Sequence, residues 1–142
     1  MNKEYICYCG LYCENCAVKS RVEPAAQALH TELKKAGFED IINFIPDGEA
    51  FWRFLKSVSE EGACVSCKAG SGNPGCTVRA CAQEKGVNMC ALCEDYPCDK
   101  FPAFFEGYPV LKHDNDFLRA KGMVEWAKMQ ENRMAQEFSY TD

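Results

Sequence analysis

Apolar positions recur at helical spacing through the middle of the chain and give way, beyond residue 62, to a loop-rich stretch studded with cysteines. In EPAAQALHTELKKAGF, Ala25, Leu29, Leu33 and Ala36 share one face of a 3.6-residue period, with Pro24 in a first turn and Gly37 as a stop. FEDIINFI predicts a short apolar helix ended by Pro46. DGEAFWRFLKSVSEEG predicts a third, with Asp47 as N-cap, Phe51, Phe54, Leu55 and Val58 as its buried stripe and Gly62 as its end. No segment alternates strongly between apolar and polar, and EYICY is the best short-strand candidate.

The second half is more broken. KAGSGNPGC, with its glycines and proline, predicts a loop, and TVRACAQEKG a short helix ended by Gly86. CDKFPAFFEGYP predicts a helical turn after Cys98, disturbed by Pro102. HDNDFLRAKGMVEWAKMQENRMAQEFSYTD predicts a last helix capped by Asp114 or Asn115. Gly122 costs about 1 kcal/mol in a helix interior, so a bend or two helical pieces are expected there. The pattern predicts a small, mainly α single domain over 1–142, with an irregular cysteine-rich segment and little or no sheet. Its parts are an N-terminal cysteine cluster (1–16), a helical segment (17–62), a cysteine-rich metal-binding block (63–101) and a C-terminal helical segment (102–142).

Composition sharpens this picture at one point. Of 142 residues, 47% are hydrophobic and 12% aromatic, enough for a folded core, but eleven of the hydrophobic residues are cysteines. No apolar run approaches the roughly 18 residues of a membrane helix. MNKEYICYCG lacks an apolar signal-peptide core. The reading is a cytoplasmic protein without a membrane partner, where clustered thiols bind metal more often than they form disulfides. The net charge of −5, with no Lys/Arg cluster, argues against nucleic acid as a partner. An unidentified protein partner is left open.

The thiols fall in two blocks: Cys7, Cys9, Cys13 and Cys16, then Cys64, Cys67, Cys76, Cys81, Cys90, Cys93 and Cys98. Three C-x2-C pairs occur, at 13/16, 64/67 and 90/93. Such a turn aims two sulfurs at one point, and tetrahedral zinc takes four. Thiolates also hold iron–sulfur clusters, so residue type alone does not choose the metal. Cys64, Cys67, Cys76 and Cys81 can close one site, leaving Cys90, Cys93 and Cys98 to combine with two or more of Cys9, Cys13 and Cys16. An interleaved grouping of 13/16 with 76/81 is equally consistent with the spacing. The count is odd, and Cys7 is the first candidate for a spare thiol.

Cys9, Cys13 and Cys16 also make C-x3-C-x2-C, the spacing of radical-SAM enzymes. A full (β/α)8 barrel takes roughly 200 residues or more. Helices follow the motif here, and Asn15 stands where that pattern wants an aromatic, so this chemistry is set aside. The ferredoxin C-x2-C-x2-C-x3-C-P run is absent too. His30 reads as a boundary residue of the first helix and His113 as a polar residue of a helix cap. Trp52 and Trp126 read as core. There is no Ser/His/Asp set, Walker loop or H-E-x-x-H, and no catalytic residue is assigned.

The segments CGLYCENC, CVSCKAGSGNPGCTVRACAQEKGVNMCALCEDYPCDKF and DNDFLRAKGMVEWAKMQENRMAQEFSYTD together resemble a cysteine-rich prokaryotic family, the domain of unknown function 3795, from about residue 5 onward. C-T-V-R-A-C and C-x2-C-x-x-Y-P-C are its most specific pieces. The resemblance implies a small cytosolic zinc-binding protein whose biochemical role is unassigned. It carries metal ligation onto Cys9, Cys13, Cys16, Cys64, Cys67, Cys76, Cys81, Cys90, Cys93 and Cys98, and it leaves Cys7 outside the pattern. Relatives have a glycine where this chain has Glu137. The expected function is structural binding of one or two Zn2+ ions, supporting an interaction or sensing module. A small iron–sulfur or thiol redox protein is the alternative, and a metal-delivery protein a further one.

Overall fold

The computed structural model describes residues 1–100 and 102–141. Among them the chain is mainly helical and forms no strand. The α-helices are α1 (Glu23–Lys35), α2 (Phe38–Ile41), α3 (Gly48–Glu61), α4 (Thr77–Glu84), α5 (Pro102–Gly107) and α6 (Pro109–Ala135). They fall into two compact units, one of Met1–Cys16 with Val65–Asp142 and one of Ala17–Cys64.

In the Ala17–Cys64 unit the punctuation residues act as expected. Pro24 lies in the first turn of α1, and Gly37 follows its last turn with φ 72°, a left-handed conformation glycine adopts without cost. Gly62 ends α3, its N–H donating to Val58 O at 3.2 Å. A π-helical stretch, Val18–Val22, runs into α1 and had no sequence signal. Asp47 precedes α3, but its backbone is left-handed (φ 58°) and its side chain makes no cap bond. A capping carboxylate works from the extended region, so that expectation fails.

Both buried stripes are also narrower or shifted. Leu55 and Val58 are buried on α3, whereas Phe51 is exposed and Phe54 is 71% exposed. On α1 the inward face is Glu23, Ala26, His30 and Leu33, and Ala25, Leu29 and Ala36 face water. Two polar attachments set this rotation. The His30 ring packs on Trp52 at 4.7 Å, with Nδ1 at 3.0 Å from Ser59 Oγ. Glu23 Oε1 accepts the N–H groups of Ala63 and Cys64 at 3.0 and 3.3 Å, which satisfies donors just past the end of α3.

In the other unit, the expected strand EYICY is a 3-10 turn, Lys3–Tyr5, followed by a single bridge between Ile6 and Tyr12. Too few residues separate Ile6 and Tyr12 for a ladder to extend, because Cys7 N–H already closes the turn onto Leu11 O at 2.8 Å. α4 matches TVRACAQE, and Pro102 opens α5 rather than disturbing a helix. The turn expected after Cys98 reaches Phe101, which lies outside the described residues.

α6 carries the largest departure from ideal geometry. Gly122 sits at φ 83°, ψ 170° inside it, a region essentially restricted to glycine. Asp114 and Gln130 flank this break and share a 2.9 Å hydrogen bond. In a straight helix sixteen residues span about 24 Å. The chain therefore folds back at Gly122, and 109–121 and 123–135 pack as a helical hairpin. A methyl group at Gly122 would meet no atom within 4 Å, so the glycine is there for its dihedral angles and not for space. Gly122→Ala is expected to lower stability by about 1–3 kcal/mol, read as a shift of the urea midpoint with an unchanged m-value.

Asp114 and Asn115 lie inside α6, which begins at Pro109, so neither caps it, and both are buried. His113 is likewise within the helix, with Nδ1 3.3 Å from Asp114 Oδ1. The hairpin closes on Trp126, 0% exposed, packed with Ile6, Tyr12, Met89, Ala91 and Leu118. A second cluster of Tyr96, Phe105 and Leu111 packs against Cys9, Cys90 and Cys93, so the core leads directly to the thiols.

Candidate functional site

Two C-x2-C segments are single 3-10 turns of the same build. Cys16 N–H donates to Cys13 O at 2.9 Å, and Cys93 N–H donates to Cys90 O at 3.0 Å. The N-terminal segment is tied to the later block through its backbone, because Cys90 N–H donates to Tyr8 O at 2.7 Å. Tyr96–Pro97 in the following turn is a cis peptide.

The turn at Cys90, the helix α4 and the Tyr96–Cys98 segment surround a cavity of about 480 Å³. Cys81, Cys90, Cys93 and Cys98 all line it, with Tyr96 and Phe105 as apolar wall. Lys100 Nζ lies 3.9 Å from Cys81 Sγ, and Lys85 pairs with Asp95 on the same wall. Burial pushes the Cys90 thiol up to about 12, with neighbouring Cys9, Cys98, Cys81 and Cys93 adding to the rise. A thiolate costs free energy there while these neighbours carry charge of the same sign.

A second group of sulfurs lies nearer the N-terminus. Cys7 Sγ is 3.5 Å from Cys13 Sγ. The bond to Cys13 is the main cause that raises Cys7 to about 12. Burial lifts Cys9 to about 11, with Cys67 and Cys76 adding to it. All eleven cysteines are thiols. Among the described residues no group of three or more His, Cys, Asp or Glu side chains is drawn into an arrangement that holds a metal ion.

Of the run Cys64, Cys67, Cys76 and Cys81, Cys81 lines the cavity with Cys90, Cys93 and Cys98. Cys9 packs against the same Tyr96, Phe105 and Leu111 cluster as Cys90 and Cys93. Cys16 closes the turn begun by Cys13, and Cys64 is the last residue of the Ala17–Cys64 unit.

Residues that sequence reasoning passed over hold these turns in place. Arg79 of α4 donates to the carbonyls of Cys67 (3.3 Å), Ser71 (2.9 Å) and Asn73 (2.6 Å), gathering the glycine-rich loop. Three side chains of α6 act on the cysteine turns. Asn115 Nδ2 donates to Cys9 O at 2.9 Å, Tyr96 OH donates to Asp116 Oδ1 at 2.7 Å, and Arg119 Nη1 donates to Ala91 O and Cys93 O at 3.1 and 2.8 Å. Gly10 makes the Asn115 contact geometrically feasible: a Cβ there would lie 2.0 Å from Asn115 Oδ1. Asn15 is fully buried and donates through Nδ2 to Gln130 Oε1 at 2.8 Å, fixing the Cys13–Cys16 turn to α6.

The model of a family described as "Protein of unknown function (DUF3795)" matches residues 5–103, well over half of the chain. The α6 segment lies outside that match. No curated protein and no solved structure matches the chain. No helix among the described residues is long and apolar enough to cross a membrane.

Proposed function

The chain belongs to DUF3795, a family of unknown function, and we propose that this cysteine-rich member is a thiolate metal-binding protein with zinc as its metal. The observation that carries this reading is the convergence of Cys81, Cys90, Cys93 and Cys98 on one cavity. Four thiols match the ligand number and type of a structural zinc site. They line a cavity and are not closed into a cage, so the fit is one of donor chemistry and placement. Lys85 and Lys100 lie on the same wall, Lys100 Nζ 3.9 Å from Cys81 Sγ. When bound, zinc supplies a cross-link between α4, the Cys90–Cys93 turn and the segment after Tyr96. The remaining ligand candidates are Cys9, Cys13, Cys16, Cys64, Cys67 and Cys76. The biological role that fits is a structural one in a reducing, cytoplasmic compartment, supporting an interaction or sensing module.

The same four-thiol donor set supports a second reading. Four thiolates around the cavity also suit an iron–sulfur cluster. Metal analysis of protein purified without oxygen separates the two. The expected result is a colourless protein with one or two zinc ions per chain. A brown protein, with iron, acid-labile sulfide and a visible absorption that bleaches on reduction, replaces zinc by a cluster. A chain that neither carries nor takes up metal removes the proposal.

A further inference from the structure

We infer that the exposed apolar surface made by α2, the 3-10 turn Ile42–Phe44 and the first half of α3 is a docking site for a cationic amphipathic helix of a partner protein. The inference rests on the interaction-module part of the proposed function and deepens it by naming the surface and the class of partner. It involves no candidate metal ligand and lies wholly within the Ala17–Cys64 unit.

Single apolar side chains on a surface are ordinary, whereas a cluster of them marks a contact. Between Ile41 and Phe54 the large apolar residues that face water are Ile41, Phe44 (84% exposed), Ile45, Phe51 and Phe54. Local geometry holds them in place. The Phe38 and Phe51 rings meet edge to face with centroids 6.1 Å apart, which joins α2 to α3. Ile45 N–H donates to Ile42 O at 3.2 Å and Gly48 N–H donates to Ile45 O at 2.9 Å, so two successive turns lead directly into α3. A Cβ at Gly48 would lie 2.4 Å from Ile42 O, so this close approach requires glycine. Between the turn and α3 runs a groove of about 340 Å³ whose walls include Ile42, Ile45, Asp47, Glu49 and Arg53. A surface already formed keeps the ordering cost of binding low.

Charge identifies the occupant. From Phe38 to Phe54, Glu39, Asp40, Asp47 and Glu49 are exposed acids, and Arg53 is the one basic residue. The left-handed backbone of Asp47 leaves its carboxylate without a cap bond, on the wall of the groove. In a symmetric pair of copies the same patch faces itself, so these acids would meet their own equivalents. The anionic face of a membrane repels the same charges. An amphipathic helix with Lys or Arg beside its apolar stripe satisfies both the apolar residues and the acids, and laying an apolar helix face into a groove is an established mode of recognition.

The probe is a synthetic amphipathic helix of leucine and lysine, titrated into the full chain and mapped by amide chemical shifts. A leucine–glutamate helix of the same pattern is its counterpart. The leucine–lysine helix is expected to shift the amides of residues 38–54, with an affinity that falls as salt is added. Phe44→Ser and Phe54→Ser alter exposed side chains, so the fold should persist, and each should weaken binding by about tenfold. Asp47→Asn combined with Glu49→Gln should weaken binding and flatten its salt dependence. Equal affinity for the leucine–glutamate helix, shifts that lie outside 38–54, or unchanged affinity in Phe44→Ser overturns the inference. So does a concentration-dependent dimer, or sedimentation with vesicles of phosphatidylcholine and phosphatidylserine, that Phe44→Ser abolishes, since a second copy or a lipid surface is then the occupant. The reading of the thiols stands or falls on metal content, which none of these arms measures.

Discussion

Cys93→Ser is expected to empty the cavity of metal and to unfold the block around it. The sequence from 64 to 98 buries little: its largest buried side chains are Val78, Met89 and Tyr96, and KAGSGNPGC contributes none. Such a segment cannot offset its own conformational entropy, about 1–2 kcal/mol per residue for the backbone alone. A structural zinc ion contributes roughly 10–16 kcal/mol of apparent binding free energy. That equals or exceeds the whole stability of an ordinary domain, about 5–15 kcal/mol. Cys93 lines the cavity, ends the 3-10 turn and offers its carbonyl to Arg119, so losing its sulfur opens the site at the point where α6 grips it. Hydrogen exchange is the appropriate readout. Amides in α4 and in the Cys90–Cys93 turn should lose protection in Cys93→Ser, and the same amides should lose it in the parent chain on chelation. Full metal content with an unchanged melting curve in Cys93→Ser would remove the cavity from the argument. The contrast with Gly122→Ala is informative, because that change acts on the backbone of α6 and should leave metal content alone.

The parts of this architecture that were legible in the sequence are those governed by local chemistry. Pro24, Gly37, Gly62 and Gly86 mark where helices begin or end because φ restriction and left-handed freedom act within a residue or two. Gly122 announced a break for the same reason, although not a complete reversal. The grouping of the thiols was not legible, because spacing says which sulfurs share a turn and nothing about which turns meet. Cys7 shows this most clearly: by pattern it is surplus, and in the fold its sulfur lies 3.5 Å from Cys13 Sγ. The buried faces of α1 and α3 were misjudged where polar partners outrank apolar ones. His30 faces inward to Trp52 and Ser59, while Leu29 is left in water. Asn15 was noticed only as the absence of an aromatic. Its signal is a polar residue fully buried between two cysteines, and that needs the structure to be seen.

Asp114→Ala is expected to destabilise the chain by about 3–5 kcal/mol. Asp114 is 0% exposed and sits on the first half of α6, with its partners across the break. Its Oδ2 accepts from Gln130 Nε2 at 2.9 Å and pairs with Arg133. Gln130 in turn accepts through Oε1 from Asn15 and from the Tyr140 hydroxyl, at 2.8 and 3.1 Å. Tyr140 N–H donates to Asn15 O at 3.2 Å, which joins the chain after α6 to the Cys13–Cys16 turn. Removing the carboxylate leaves a largely buried guanidinium without its counter-charge and an amide without its acceptor, and breaking a buried pair from one side is the costly case. Asp114→Asn retains the shape and an acceptor for Gln130, so it should lose less than alanine does. The exposed pair Lys128–Glu125 supplies the control: Lys128→Ala should stay within about 0.5 kcal/mol of the parent, as surface pairs do. Urea denaturation read by tryptophan fluorescence in a Trp52→Phe background, where Trp126 enclosed by the hairpin is the reporter, ranks the three variants directly. If Asp114→Ala falls within about 1 kcal/mol of the parent, the reversal at Gly122 is held by apolar packing around Trp126 alone, and the polar chain from Asp114 to Asn15 positions the cysteine turn without supporting the fold.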